Sequence, residues 1–598
     1  MRMIKNAAVL CLLAGVAFGG VAQAATNVTS DITTSETWTK AGSPYRLKTQ
    51  IFVKNGATLT IEAGVVVASL PADQGSLAVS RGSDIHVQGT KAEPVVMTST
   101  NDDRTNWREA ANEWGNLTIM GRGIISASHF EGNPVGPATD GDAQNPMVPD
   151  GTAQKQMEGL TATPGEEDDV RYGGNDDYDD SGSITYLSIR YTGKVIGLGN
   201  ELNGLSLGAI GRETDIHHVD IMNNVDDGIE IWGGTVNLKY CNIWNIGDDS
   251  FDIDEGWRGK AQFICIVQGY ALNDSQGSGV GDNMFEHDGA ERQDAQPVTT
   301  GVIYNATAIG QPFDGDGATT WRDNCRMQYR NCVFMDCGEK VVRFDDDDGD
   351  GALGYSGDKS GSRTTSTDGT LTWVEHWNTP YSFSHDADAA GQTNAAATDA
   401  AMMELYQSQV DGNLCEIRDS VFYNNTDYAE ADQADLGIFA AANNNVKEPA
   451  NMPIVSITRA ASVVKGGKIM QRVTGLDPRA ANDAAGSVGT APADGFFTPA
   501  PFRGAFSPDV NWLEGWTAAA EYGFLENTGT NPDDPAAEVS VTISTGFQTD
   551  AGVLYTVEQS EDGVLWSPIG TIEGDGSLMT ITDLEGFEPG QLYRAIAQ

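Results

Sequence analysis

IHHVDIMNNVDDGIEIWGG occupies residues 216–234, and LKYCNIWNIGDDSFDIDEG occupies residues 238–256. Laid one on the other, the two stretches agree in their apolar residues and in their acids. Val219 falls on Cys241, Ile221 on Ile243, Ile229 on Phe251 and Ile231 on Ile253, while Asp226 and Asp227 fall on Asp248 and Asp249. A period of about 22 residues, holding two short alternating strands between Asn, Asp and Gly turns, is the length of one coil of a parallel β-helix. Alternation turns Val219, Ile221, Ile229 and Ile231 inward and Asp220 and Glu230 outward. Stacked coils then bury an apolar ladder that no single coil could bury.

The pattern extends in both directions. GATLTIEAGVVVAS (56–69), SLAVSRGSDIHVQGTKAEPVVMTS (76–99) and WGNLTIMGRGIISASHF (114–130) are short alternating runs broken by Gly, Pro and Asp. SITYLSIRY (183–191), AQFICIVQG (261–269), MQYRNCVFMDCGEKVVRF (327–344) and CEIRDSVFYNN (415–425) continue it. Residues 25–50 read as a strand-rich cap. Residues 131–182, acidic and rich in Pro and Gly, read as an insertion or flexible loop. Residues 352–413 read as a second insertion, with a short helix expected over TDAAMMELYQSQ. ENTGTNPDDPAA (526–537) reads as a linker, and residues 538–598 as a small β-sandwich-like module of alternating strands.

The start, MRMIKNAAVLCLLAGVAFGGVAQA, has Arg2 and Lys5, an apolar centre and Ala22-Gln23-Ala24 before a cleavage point. It predicts a signal peptide over residues 1–24 and a secreted, extracellular or surface location. No later apolar run approaches the roughly 18 residues of a membrane helix. The chain carries 85 acidic and 36 basic residues, a formal charge of −49. That balance excludes nucleic acid and anionic membranes as partners and suits cations. Six cysteines follow the leader, enough for 15 pairings that spacing does not rank. Cys241 holds an inward position, where a buried thiol fits equally well.

Together these segments resemble the pectate-lyase-like superfamily of right-handed parallel β-helices. They look most like a widespread group of secreted bacterial β-helix proteins without an assigned activity. The carrying segments are NGATLTIEAGVVV, NELNGLSLGAIG, DDGIEIWGGTVNLKY, GDDSFDIDEGWRGKAQF and DGFFTPAPFRGAFSPDVNWLEGWT. The resemblance implies an all-β solenoid over residues 25–525. The tail YTVEQSEDGVLW…LYRAIAQ is similar to fibronectin-like modules.

Three readings compete for the acids. In the first, Asp and Asn serve the tight corners of the coil. In the second, stacked Asp226 over Asp248, Asp227 over Asp249 and Glu230 over Asp252 recruit calcium, a hard cation that takes clustered oxygens. Two further stretches begin like calcium loops. FDDDDGDGAL offers Asp346, Asp348 and Asp350 before Gly351, and NDDYDDSGSI offers Asp177 and Asp179 before Gly182. Neither has a Glu at the twelfth position, where Gly357 and Ser188 stand.

The third reading is catalysis. N-V-D at 224–226 and G-D-D at 247–249 are similar to two motifs of polygalacturonase-type glycosidases, which implies catalytic roles for Asp226, Asp248 and Asp249. The G-H-G and R-I-K motifs of that family are missing here. A lyase needs a base, and Lys239, Arg258 and Lys260 are the available cations. Trp232, Trp244 and Trp257 lie near the acids and are candidates for stacking on sugar rings. His217 and His218, as strand neighbours, are expected on opposite faces and so not in one metal site. The reading that covers most residues is a secreted binding or structural protein, calcium-binding and associated with polysaccharide. A glycoside hydrolase or polysaccharide lyase is the alternative.

Overall fold

The computed structural model describes residues 25–126, 154–197, 200–269, 281–289, 297–322, 325–344 and 409–526, apart from 435 and 466, and five strands beyond them. Parallel strands fill a 17-stranded and a 9-stranded sheet, wound as a right-handed parallel β-helix. The repeated stretch supplies β1 (Asp215–Met222), β2 (Ile229–Trp232), β3 (Asn237–Trp244) and β4 (Phe251–Asp254). The next coil supplies β5 (Lys260–Val267) and β6 (Phe285–Asp288). β1, β3 and β5 belong to the larger sheet, and β2, β4 and β6 to the smaller.

The register is the one the repeat dictates. Val219 pairs with Cys241 and Ile221 with Ile243, while Ile229 pairs with Phe251, Glu230 with Asp252 and Ile231 with Ile253. The inward members are fully buried in one continuous core that runs the length of the solenoid. Each buried aliphatic or aromatic side chain contributes about 1.5–3 kcal/mol. All six cysteines after residue 24 are buried thiols outside any disulfide.

The 25–50 segment stacks directly on the coils that follow it. Tyr45–Leu47 pairs in parallel with both Thr26–Val28 and Val66–Ser69, so the solenoid has already begun. The chain adds one more rung to the smaller sheet at Leu117–Met120, between Leu77–Val79 and Leu205–Gly208, then leaves the helix and returns at Gly182–Arg190, which stacks in register on Val95–Met97 and Ile85–Gln88. The excursion is folded where it is described. Lys155–Gln156 and Arg171–Tyr172 form an antiparallel pair. Met157, Leu160, Val170 and Tyr172 pack with Phe52, Ala78 and Trp232 against the smaller sheet. Its acidic composition hid those four apolar anchors. The helix expected over TDAAMMELYQSQ lies outside the described residues but for Gln409, as do the leader 1–24 and the linker after Glu526.

One bend breaks strand alternation on successive coils. Tyr186, His218, Tyr240 and Phe263 have φ of 47°, 56°, 59° and 60°, and Asn305, Asn331 and Asp419 follow at 53°, 55° and 54°. Left-handed backbone is unfavourable for aromatic residues. Here ring stacking offsets that cost, with centroids at 4.2 Å for Tyr186–His218, 4.4 Å for His218–Tyr240 and 4.8 Å for Tyr240–Phe263. The bend also corrects the expectation for the His pair. His217 and His218 turn to the same side, with Nδ1 atoms 2.8 Å apart. Their ring centroids are 5.0 Å apart, so the two nitrogens point at each other as in an N–H···N hydrogen bond.

After the last rung at Val446–Lys447 the chain makes two antiparallel hairpins, Ile454–Arg459 with Val473–Ala480 and Val463–Lys465 with Lys468–Met470. It then runs backward along the outer face of the larger sheet. Asn305 Nδ2 donates to Phe502 O at 2.8 Å, Gln262 Nε2 to Thr498 O at 2.8 Å, and Ala518 N to Asp220 Oδ2 at 2.7 Å. The strap ends against Asp102, Arg104 and Arg190. Asp220, expected to face solvent, is therefore 0 % exposed. The chain divides into Met1–Glu526 and Asn527–Gln598. The second unit has an antiparallel sheet with Leu554–Ser560 between Ser567–Glu573 and Leu592–Ala597, and a pair of Gly546–Gln548 with Leu578–Thr580.

Candidate functional site: a column of carboxylates

The corner between β1 and β2 is Asn-Asn-Val-Asp-Asp-Gly, and that between β3 and β4 is Asn-Ile-Gly-Asp-Asp-Ser. Asn223 and Asn245 take left-handed φ of 64° and 57° at the same place in each coil, and Asn245 Nδ2 donates to Asn223 Oδ1 at 3.2 Å. The second aspartate of each pair ties one coil to the next. Asp249 N donates to Asp227 Oδ1 at 2.8 Å, and Asn283 N donates to Asp249 Oδ1 at 2.6 Å. That is turn chemistry, the first of the three readings. The first aspartates, Asp226 and Asp248, are only half-buried. Asp248 N lies 3.4 Å from Asp226 O, and Asp282 N lies 3.0 Å from Asp248 O, so Asp226, Asp248 and Asp282 stack on successive coils.

The outward residues of the smaller sheet add a second column. Glu230, Asp252 and Glu286 are in register on β2, β4 and β6. Oxygens of Asp226, Asp227 and Asp248 converge within 4.8 Å of one another, and so do those of Asp227, Glu230 and Asp252. Asp227 belongs to both groups. Burial, reinforced by neighbouring carboxylates, pushes Asp226, Asp227, Glu230, Asp249 and Asp252 well above the usual carboxylate range. The same causes raise Asp282 to about 8. Glu286 is held low despite burial, because Asp249 and Arg322 hydrogen-bond to it. Lys468 closes one end of the column on Asp316 at 2.8 Å, and Arg322 sits 2.9 Å from Asp288. Carboxylates crowded this way must share protons or take up a cation, and two trios of hard oxygens suit a divalent ion.

The other expected site residues fare differently. Asp177 carries Arg258 in a two-pronged ion pair, with Nη2 to Oδ1 at 2.8 Å, so a guanidinium already supplies the positive charge there. Asp179 accepts from Ser181 Oγ at 2.9 Å and stands apart from both trios. Asp346, Asp348 and Asp350 lie outside the described residues. Trp232, Trp244 and Trp257 are 4 %, 0 % and 0 % exposed and offer no ring face to a sugar. Trp232 packs under the excursion against Tyr172, Trp244 under the strap against Phe524, and Trp257 inside the solenoid, its indole N–H on Val236 O at 3.0 Å. Of the three cations considered as a base, Arg258 is paired with Asp177 and Lys260 with Asp494, while Lys239 donates to Thr498 on the strap at 3.1 Å. None of the three pairs with the column. His287 points into the core and is fully buried.

Asp282, Glu286 and Arg322 were missed in the sequence because residues 270–280 interrupt the period. The signal was present: DNMFEHDG (282–289) is a third copy of DDSFDIDE (248–255).

No curated protein and no solved structure gives a significant match to this chain. Among the described residues no helix is long and apolar enough to cross a membrane. The model of one family, the pectate-lyase-like beta helix domain, matches residues 30–407, well over half of the chain, and the solenoid of parallel sheets described above is its fold; the protein belongs to that family.

Proposed function

We propose that this is a secreted or surface β-helix protein that binds calcium at the carboxylate column and, through it, associates with acidic polysaccharide. The observation that carries the reading is the convergence of two carboxylate trios on a shared Asp227. A bound divalent ion would be held by Asp226, Asp227 and Asp248 or by Asp227, Glu230 and Asp252, and it would supply a positive charge able to bridge to an anionic glycan. Asp346, Asp348 and Asp350 are proposed as a second calcium loop. The leader-like start supports export.

The rival is a glycosidase or lyase working at Asp226, Asp248 and Asp249. Asp249 is buried and committed to Asn283 N–H. Oxygens of Asp226 and Asp248 lie within 4.8 Å of one another, short of the roughly 6.5–9.5 Å that leaves room for a water between the carboxyls of an inverting glycosidase. The test incubates the protein with acidic and neutral polysaccharides, with calcium or with EDTA, and measures retention and new reducing or unsaturated ends. Calcium-dependent retention without new ends is expected, abolished in D226N/D248N. Turnover lost in Asp248→Asn would establish the rival.

A further inference from the structure

A second site lies on the other sheet. A cleft of about 430 Å³ opens on the larger sheet where the strap passes the β1 and β3 strands. Arg212, Asp215, His217, Lys239, Tyr240 and Phe496 are among its lining residues. Its volume is that of a small-ligand site. Phe496 is partly exposed on its wall, while Tyr240, stacked between His218 and Phe263, presents its ring edge.

Its cations are unusual for this chain. Basic residues are outnumbered 36 to 85, and most of those described here are drawn into ion pairs with the surplus acids. Arg212 and Lys239, which line the same cleft, take part in no ion pair among the described residues. Arg212 lies over the Tyr178 ring at 4.6 Å, donates to the backbone oxygen of Asp177 at 3.3 Å and helps hold the Asp177 carboxyl low, while Arg258 makes the ion pair there. Lys239 donates to two neutral acceptors, Phe496 O and Thr498 Oγ, and lies over the Phe496 ring at 4.8 Å, so one of its three N–H groups has no oxygen acceptor. Burial pulls the Lys239 ammonium below its ordinary value, with Asp494 and Asp215 acting against that. Of the two lining acids, Asp215 faces His217 Nε2 at 3.9 Å, and Glu213 is exposed to water.

We propose that this cleft binds a small organic carboxylate, its anionic group taken by Lys239 and Arg212 and its ring or apolar part laid against Phe496 and the edge of Tyr240. The site is independent of the carboxylate column and of calcium, because none of its residues belongs to either trio. A sugar acid and an aromatic acid both present this chemistry.

Calorimetric titration of the full chain with glucuronate and with benzoate, each beside its methyl ester, in EDTA, tests the proposal. At least one acid should bind, and its ester should bind at least tenfold more weakly. Lys239→Met and Arg212→Met should each weaken the acid about fivefold or more, with unchanged melting curves, while Lys465→Met, on the remote hairpin, should leave it unaltered. Glucuronate alone binding would identify a sugar acid, and benzoate alone an aromatic one. Failure of both acids, an ester as tight as its acid, or full binding by the Lys239→Met/Arg212→Met double variant would overturn the proposal.

Discussion

Asp227 performs two tasks that separate on substitution. Its Oδ1 accepts the Asp249 N–H, and its charge belongs to both trios. Asp227→Asn keeps an acceptor and removes the charge. In EDTA this variant should melt at or above the wild-type temperature yet lose the calcium-dependent gain. Asp227→Ala also strands a buried N–H, and should cost about 1–3 kcal/mol in urea unfolding. His287 offers a test of opposite sign. Burial pushes its imidazole down to about 3, and its Nδ1 finds no partner among Phe285, Trp321 and Tyr329. The folded state keeps it neutral while the unfolded state protonates it, so stability falls as pH drops below the unfolded value. By linkage the loss reaches about 2 kcal/mol at pH 5. His287→Phe paired with Tyr329→Phe, which removes the hydroxyl left behind, should abolish that part of the acid limb in urea midpoints at pH 5 and 7.

At the scale of elements, the strap is held by a buried charge cluster. Arg190 is 1 % exposed, beside Asp102 at 3.7 Å and in contact with Glu521 and Tyr522. Glu521→Ala leaves that guanidinium short of a partner and should cost about 2–3 kcal/mol. Glu521→Gln should cost less, since an amide oxygen still accepts. Denaturant midpoints of the two variants check the ranking. Much of the solenoid was legible beforehand, because a period that superposes Val219 on Cys241 and Phe251 on Ile229 fixes register and facing together. The strap was not. DGFFTPAPFRGAFSPDVNWLEGWT has no periodicity, and nothing local says that its chain crosses coils from 197 residues earlier, at Asn305, to 420 residues earlier, where Tyr522 beyond it meets Asp102. The left-handed bend at His218 was equally hidden, since alternation was the rule used to place its neighbours. The tryptophans misled for a related reason: clustering in sequence near acids says nothing of what an excursion or strap later covers.

For the whole molecule the acids govern the response to pH. Carboxyls raised above their unfolded values contribute stability that is full below the ordinary carboxylate range and is lost as pH rises through the folded values, which for Asp282 means up to about 8. In EDTA the melting temperature should therefore decline between pH 5 and 8, and calcium should flatten that decline. A calcium effect that is equal at both pH values would place the ion elsewhere, with the 346–350 loop the first alternative. The strap has a further consequence, in time rather than in energy. Coils can stack as soon as two of them exist, but Arg190 and Asp220 wait for residues 518–522, near the end of the solenoid unit. A chain emerging from its N-terminus is thus an unlatched spring until about its last seventh appears. Contacts of such long range form slowly. Removing residues 495–526 should leave a solenoid that still assembles coil by coil but is cut by proteases along its uncovered face, whereas the complete unit resists them.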